Sequence, residues 1–239
     1  MKIRIVVPII SDVFNEEVKK EVAQFKAPDT VIDVVNIPKG PASIESHYDE
    51  IVASVPIAEK VVQAEKDGCH GVFVDCFGDP AVDASRELVG IPVVGAFQPA
   101  ALTAMMIARR WSVVTVLKNV VPMIGDLARR MGIESSLASV RDVDTPVLEL
   151  HDKGVLESKL LGQIEKAVVE DGAEAVVLGC TGMLGLAQSL ARKMASKGIP
   201  VPVIDPTASA IGYLELLVRG GLSQSRIAYM APPHKERRF

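Results

Sequence analysis

Two cysteines in this chain of 239 residues lie in matching sequence contexts. Cys76 and Cys180 each follow an apolar run, are followed two positions later by a glycine, and lie 104 residues apart. A thiol can take up or release a proton, and inversion of a carbon stereocentre needs a base on one face of the substrate and an acid on the other. The pair therefore predicts proton exchange at an acidic C–H bond, with Cys76 and Cys180 as the catalytic residues and no cofactor.

The other candidates for side-chain chemistry are weaker. A free cysteine is often only a packing residue, and Cys69, which lies before a strand rather than after one, is interpreted in that way. Three cysteines do not suggest a disulfide framework, and the four histidines show no metal-ligand spacing, so we expect neither disulfides nor a metal. The glycines at 179, 182 and 185 do not match a dinucleotide-binding fingerprint.

The cysteines must be positioned by elements that alternate along the whole chain. Continuous apolar runs predict buried parallel strands, and runs with apolar residues at 3.6-residue spacing predict helices. Strands are expected over 3–9, 31–37, 71–76 and 92–97, then over 112–117, 137–141, 175–180 and 201–205. Helices are expected over 12–26, 44–66, 79–89, 120–131, 155–171, 183–196 and 207–219.

This order predicts an α/β fold with two pseudo-symmetric lobes, each a mostly parallel sheet flanked by helices. Ligands of such sheets bind beyond the carboxyl ends of the strands, where both cysteines would lie. We therefore expect the active site in the cleft between the lobes.

The residues next to each cysteine suggest how a substrate would be held. Because a helix is expected to start directly after each motif, the thiol pKa values are expected to be lowered by the helix N-termini. The backbone N–H groups of Phe77, Gly78, Thr181 and Gly182 are expected to bind carbonyl or imide oxygens of the substrate.

Two further side chains are candidates for the site. Asp79, followed by Pro80, is interpreted first as the N-cap of its own helix and also as a substrate-binding candidate. Thr115, near the end of a strand, could reach the cleft.

Composition narrows the classes of partner. The formal net charge of −4 provides no basic surface for nucleic acid. The N-terminal apolar run is too short to span a membrane and lacks the cleavage-site pattern of a secretory signal. A small-molecule substrate and a cytoplasmic location are expected. The charged run at 235–238 is interpreted as a solvated tail.

These motifs resemble the aspartate/glutamate racemase superfamily, and more closely its hydantoin racemase branch. The resemblance rests on Asp75-Cys76-Phe-Gly-Asp-Pro80, on Leu178-Gly-Cys180-Thr-Gly-Met183 and on Trp111-Ser-Val-Val-Thr115. It implies a cofactor-free reaction with two thiols, substrates such as 5-substituted hydantoins or allantoin, and a homo-oligomer. It also implies that the last helix returns to the first lobe, which gives residues 1–97 with 206–239 as one lobe and 98–205 as the other. Pro8 and Ser11 take the place of the family's substrate ligands after the first strand.

Other functions remain open from the sequence. An aspartate or glutamate racemase would need cations for the carboxylates of its substrate, and Lys118 is the one candidate near a strand end. A decarboxylase or a maleate cis–trans isomerase of the same superfamily would use one cysteine as proton donor or nucleophile. A non-enzymatic protein that binds a small metabolite would need no reactive thiol pair.

Overall fold

Strands and helices alternate in two successive sets in the computed structural model, which describes residues 1–237. The first set comprises β1 (Lys2–Val7), α1 (Asn15–Phe25), β2 (Val31–Asn36), α2 (His47–Lys66), β3 (Gly71–Val74), α3 (Val82–Leu88) and β4 (Val93–Val94). The second comprises α4 (Phe97–Ile107), β5 (Trp111–Thr115), α5 (Val120–Arg130), β6 (Leu137–Asp142), α6 (Lys153–Val169), β7 (Ala175–Leu178), α7 (Ala187–Ser196), β8 (Val203–Ile204) and α8 (Pro206–Arg219). Short 3₁₀ turns lie at Glu134–Ser136 and Val147–Glu149. Arg238, the last residue of the charged run, lies outside the described residues.

Each set forms one parallel sheet of four strands, and the two sheets have the same strand order. The first sheet runs β2-β1-β3-β4 and the second β6-β5-β7-β8. Ile5 pairs with Phe73 in the first sheet, and Val113 pairs with Val177 in the second. The predicted fold class, two pseudo-symmetric α/β lobes, is therefore confirmed.

The central strands are apolar because helices cover both of their faces. Every residue of β3 and β7 is buried. One large core cluster continues from the first sheet into the second, and the Phe97 ring lies between those of Phe77 and Trp111, with centroid distances of 5.5 and 6.2 Å. Helix α8 packs on α1, α4 and β3. None of the helices in the described part of the chain is long and apolar enough to cross a membrane.

The helix α4 was not expected from the sequence. Its residues are apolar on nearly every side, so they show little of the 3.6-residue periodicity that marks an amphipathic helix. The strand expected over 92–97 is correspondingly short, because Phe97 already belongs to α4. Pro99 lies in the first turn, where a missing N–H costs no helical hydrogen bond.

Several helices begin later than predicted, and the difference matters most after the cysteines. Helix α3 begins at Val82 rather than at 79, because Asp79 and Ala81 have positive φ angles of 49° and 57° that a right-handed helix does not allow. Helix α7 begins at Ala187 rather than at 183. The expectation that each cysteine directly precedes a helix is therefore wrong.

Candidate active site

The two cysteines of the repeated motif line one cavity. The inter-lobe cavity lies beyond the carboxyl ends of the central strands and has a volume of about 80 Å³. The residues just before the two cysteines make equivalent contacts in their lobes. The backbone N–H of Asp75 donates to the carbonyl oxygen of Val6 at 2.9 Å, and the backbone N–H of Gly179 donates to the carbonyl oxygen of Val114 at 2.8 Å. The chain thus presents one thiol from each lobe to a common space.

The backbone N–H groups that follow the cysteines act on the sulfur atoms. The Gly182 N–H donates to Cys180 Sγ at 3.3 Å. The backbone N–H of Gly78 lowers the pKa of the Cys76 thiol, although burial has the larger, opposite effect. The N–H of Gly182 is therefore directed at a sulfur rather than left free for a substrate oxygen. A hydrogen bond to sulfur stabilises the thiolate form.

The prediction of lowered thiol pKa values is wrong. Burial raises the pKa of Cys76 well above its ordinary value, and burial raises the pKa of Cys180 to about 12. No helix N-terminus reaches either sulfur, since α3 and α7 begin six and seven residues after the cysteines. Both groups are therefore favoured as neutral thiols.

Most of the predicted substrate-binding residues line this cavity. Pro8, Phe77, Gly78, Thr181 and Gly182 all do so. Thr181 also connects the two lobes, because its hydroxyl donates to the carbonyl oxygen of Asp75 at 3.2 Å.

Three predicted site residues are placed elsewhere. Thr115 is fully buried, and its hydroxyl donates to the carbonyl oxygen of Gly179 at 3.0 Å. The Ser11 hydroxyl oxygen accepts from the Val13 N–H at 3.3 Å. Neither of these side chains, nor that of Asp79, contributes to the cavity lining.

Asp79 caps a helix, but not the one that follows it directly. Its carboxylate accepts hydrogen bonds from the backbone N–H groups of Phe97 at 2.8 Å and Gln98 at 3.2 Å, at the start of α4. It also borders a separate cavity of about 540 Å³. Burial raises the pKa of Asp79 to about 6. The N-cap interpretation was thus correct about the type of contact and wrong about the helix.

One cavity residue was missed from the sequence. Asp75 lines the cavity, is 5% exposed, and its Oδ1 atom has no hydrogen-bond partner within residues 1–237. Burial raises the pKa of Asp75 to about 7. The feature of the sequence that could have identified Asp75 is its position directly after a buried strand and immediately before a cysteine.

The rest of the lining is mostly apolar. It comprises Val7, Ile9, Phe14, Val18, Ile44, Val116, Val120, Met123, Val147, Gly179 and Leu184. Lys118 is not among the lining residues, and within the described chain no lysine, arginine or histidine lines the cavity. No cluster of three or more metal-ligating side chains is found over residues 1–237.

A hydrogen bond between the lobes joins two segments beside the cavity. Glu45 Oε1 accepts from the backbone N–H of Val147 at 2.7 Å. Val147 and the neighbour of Glu45, Ile44, both line the cavity. This bond therefore holds these two segments together.

Comparison with known proteins identifies the family. Residues 8–214 match the model of the Asp/Glu/Hydantoin racemase family. This chain belongs to that family. The family prediction, including the hydantoin racemase branch, is confirmed by the similarity to a hydantoin racemase of Paenarthrobacter aurescens, which is 36% identical over 239 residues covering 99% of both chains.

Solved structures of the same family are also similar over the full length. Allantoin racemase from Klebsiella pneumoniae has a TM-score of 0.92 and 35% identity, with coverage of 99% of this chain and 95% of that one. Allantoin racemase from Pseudomonas fluorescens has a TM-score of 0.93 and 31% identity, with complete coverage of both chains.

Proposed function

We propose that this protein is a cofactor-independent racemase of 5-monosubstituted hydantoins or a related ureide such as allantoin. The observation that carries the proposal is that Cys76 and Cys180, one from each lobe, line a single, mostly apolar cavity. Membership of the racemase family and the similarity to hydantoin and allantoin racemases support it.

The chemistry follows from two thiols on opposite faces of one carbon. The C5–H bond of a hydantoin is acidic because the adjacent carbonyl oxygen can take up the electron pair as an enolate. One sulfur, as thiolate, removes this proton, and the other, as thiol, delivers its own proton to the opposite face. The thiolate and the thiol exchange roles in each turnover, so the enzyme can work in both directions.

The hydrogen bonds in the cavity are suited to this exchange. The N–H of Gly182 donates to Cys180 Sγ, and the N–H of Gly78 lowers the pKa of Cys76, so each favours the thiolate form of its cysteine. The N–H groups of Phe77 and Thr181, the other two predicted donors, are left for the enolate oxygen. Apolar lining residues such as Val120 and Met123 contact the 5-substituent.

The charge of the cavity favours a neutral ring over a free amino acid. The carboxylates of aspartate or glutamate need cationic partners, whereas the titratable lining side chains in residues 1–237 are two thiols and one carboxyl group. A ring with N–H and C=O groups needs only hydrogen bonds. An amino-acid racemase is therefore the weaker candidate.

The location, the oligomeric state and the lobe boundaries are proposed from other observations. Free thiols are expected to persist in the reducing cytoplasm, where we place the protein. We propose a homo-oligomer because the apolar side chains of Met105, Met106 and Ile107 on α4 are exposed. We also keep the division into residues 1–97 with 206–239 and residues 98–205 as the proposed lobes.

Proton exchange in D₂O tests the proposed activity. Single enantiomers of several 5-substituted hydantoins, allantoin, aspartate and glutamate are incubated with the enzyme, and loss of the signal from the stereocentre proton is followed by NMR against an enzyme-free blank. We expect exchange above the blank, with loss of optical rotation, for at least one hydantoin or for allantoin. Exchange of the amino acids alone would reject the proposal.

A further inference from the structure

Among the described residues that line the inter-lobe cavity, Asp75 has the one carboxyl group, and the others are mostly apolar residues and the two thiols. Asp75 lies at the end of β3, one residue before Cys76, yet its charge acts on the pKa of Cys180 across the cavity. Its side chain is 95% buried, and its Oδ1 atom accepts no hydrogen bond from residues 1–237. A buried carboxylate oxygen without a partner is costly, so a donor supplied by a bound molecule would relieve that cost.

The second lobe has no equivalent group, and the packing explains why. Gly179 occupies the corresponding position before Cys180, and a Cβ atom there would lie 2.6 Å from Val113 Cγ1 and 2.9 Å from Thr115 Cβ. The carboxyl group is therefore present on one side of the cavity only. It makes an otherwise symmetric pair of thiols unequal.

No cation of residues 1–237 acts on the carboxyl group of Asp75. Thr181, three residues after β7, donates its hydroxyl to the backbone carbonyl oxygen of Asp75, and the charge of Asp205 just before α8 acts on the carboxyl group. Glu21 on α1 lies near Asp205, and its Oε1 atom accepts from the N–H of Gly185 at 2.7 Å. A substrate group that contacts the ionised form of Asp75 must therefore be a hydrogen-bond donor and not an anion.

We propose that the Asp75 carboxylate accepts the N–H group bonded to the stereocentre carbon of the substrate, and so selects substrates that carry an amide N–H at that position. This inference rests on the proposed racemase function. In a 5-benzylhydantoin the carbon atom that Cys180 protonates carries a ring nitrogen, a carbonyl carbon and an apolar substituent, and among these only the ring N–H donates a hydrogen bond. The carbonyl oxygen is then directed away from Asp75, towards the backbone N–H groups.

Methylated substrates test the contact. Wild-type kcat/KM is measured on 5-benzylhydantoin and on its N1-methyl and N3-methyl derivatives, each divided by the enzyme-free exchange rate in the same buffer. N1 is bonded to the stereocentre carbon and N3 is not. Removal of a hydrogen bond to a charged group lowers kcat/KM by about 10- to 100-fold. We therefore expect kcat/KM to be lower by that factor for the N1-methyl compound than for the N3-methyl compound.

Substitution of Asp75 separates this loss from a steric effect of the methyl group. Asp75→Leu keeps the branching of the side chain, although leucine is larger, and cannot accept a hydrogen bond, so kcat/KM on the parent hydantoin should fall, mainly through KM. The ratio between parent and N1-methyl rates should shrink by about tenfold or more. Glu21→Gln replaces a nearby buried carboxyl group outside the cavity lining by an amide of similar shape, so it is the matched control and should keep the wild-type ratio.

The outcomes are distinct. A wild-type enzyme that racemises no hydantoin or allantoin rejects the proposed function and this inference with it. An active wild type whose ratio is unchanged in Asp75→Leu, or is reduced equally by Glu21→Gln, rejects the inference alone. Should Asp75→Leu fail to fold by circular dichroism, Asp75→Ala, which is smaller and also cannot accept a hydrogen bond, decides on the same ratio.

Discussion

The carboxylate of Asp79 accepts a hydrogen bond from the backbone N–H of Phe97 at 2.8 Å, and this contact joins the loop after Cys76 to the start of α4. The next N–H of the helix, that of Gln98, donates to the second carboxylate oxygen. Helix α4 in turn packs on α8 and on β7 of the second lobe. One side chain therefore fixes the position of a candidate catalytic thiol relative to the helix between the lobes.

Loss of this cap should reduce both stability and activity. Asp79→Ala removes two hydrogen bonds at a helix start, and we expect a decrease of about 1–2 kcal/mol in the free energy of unfolding. For a chain of this size that corresponds to about 2–8 °C in Tm. Asp79→Asn, which can still accept at one oxygen, should lose less. Thermal unfolding and the racemisation rate are the measurements, and an Asp79→Ala variant with unchanged Tm would contradict the assigned contact.

Close packing before Cys180 gives a second prediction. In Gly179→Ala the new Cβ would also lie 3.1 Å from the backbone Cα of Thr115, so β7 must move away from β5. We expect a loss of about 1–3 kcal/mol and a reduced racemisation rate, because Cys180 moves with the strand. Gly125→Ala is the control, since a Cβ there meets no atom within 4 Å and alanine favours the α5 helix. Equal Tm values for the two variants would argue against the close approach.

The buried carboxyl group of Glu21 predicts a pH-dependent stability. Burial and the nearby charge of Asp205 raise the pKa of Glu21 in the folded chain. Its contribution to stability is therefore complete below its ordinary pKa of about 4.5 and is lost as the pH rises through the higher folded value. Glu21→Gln should have a Tm close to that of the wild type at pH 4 and several degrees higher at pH 9.

An exposed glutamate serves as the control for that measurement. Glu16 pairs with Lys19 on the surface of α1, and this contact lowers the pKa of Glu16. Glu16→Gln should bring no gain in Tm at alkaline pH. A Glu21→Gln variant whose Tm follows the wild type from pH 4 to pH 9 would show that Glu21 titrates normally in the folded chain.

The sequence was sufficient for features that depend on local pattern. The apolar runs before Cys76 and Cys180 become β3 and β7, because strands buried on both faces need continuous apolar sequence. The repeated Cys-x-Gly motif correctly predicted that each lobe brings one cysteine to the same cavity. Equivalent positions in a repeated fold lie at equivalent sheet edges.

Features that depend on contacts between distant segments could not be predicted. Asp79 caps α4, a helix without a clear amphipathic pattern that begins 18 residues further along the chain. The position of Thr115 near the end of a strand suggested a cavity residue, but its hydroxyl donates to the carbonyl oxygen of Gly179. The surroundings of Asp75 could not be predicted either, because Thr181, which donates to its carbonyl oxygen, belongs to the other lobe and lies 106 residues further along the chain.

Isotope incorporation during a single passage across the stereocentre tests the two-thiol mechanism most directly. A protiated single enantiomer of 5-benzylhydantoin is converted in D₂O to a few per cent, and both enantiomers are separated and analysed for deuterium at C5, with an enzyme-free blank. If one sulfur removes the proton and the other supplies its own, the product should carry solvent deuterium almost completely, while the remaining substrate stays protiated. Product that retains the original protium would show that a single group moves the proton from face to face, and would contradict the assignment of Cys76 and Cys180 as a pair.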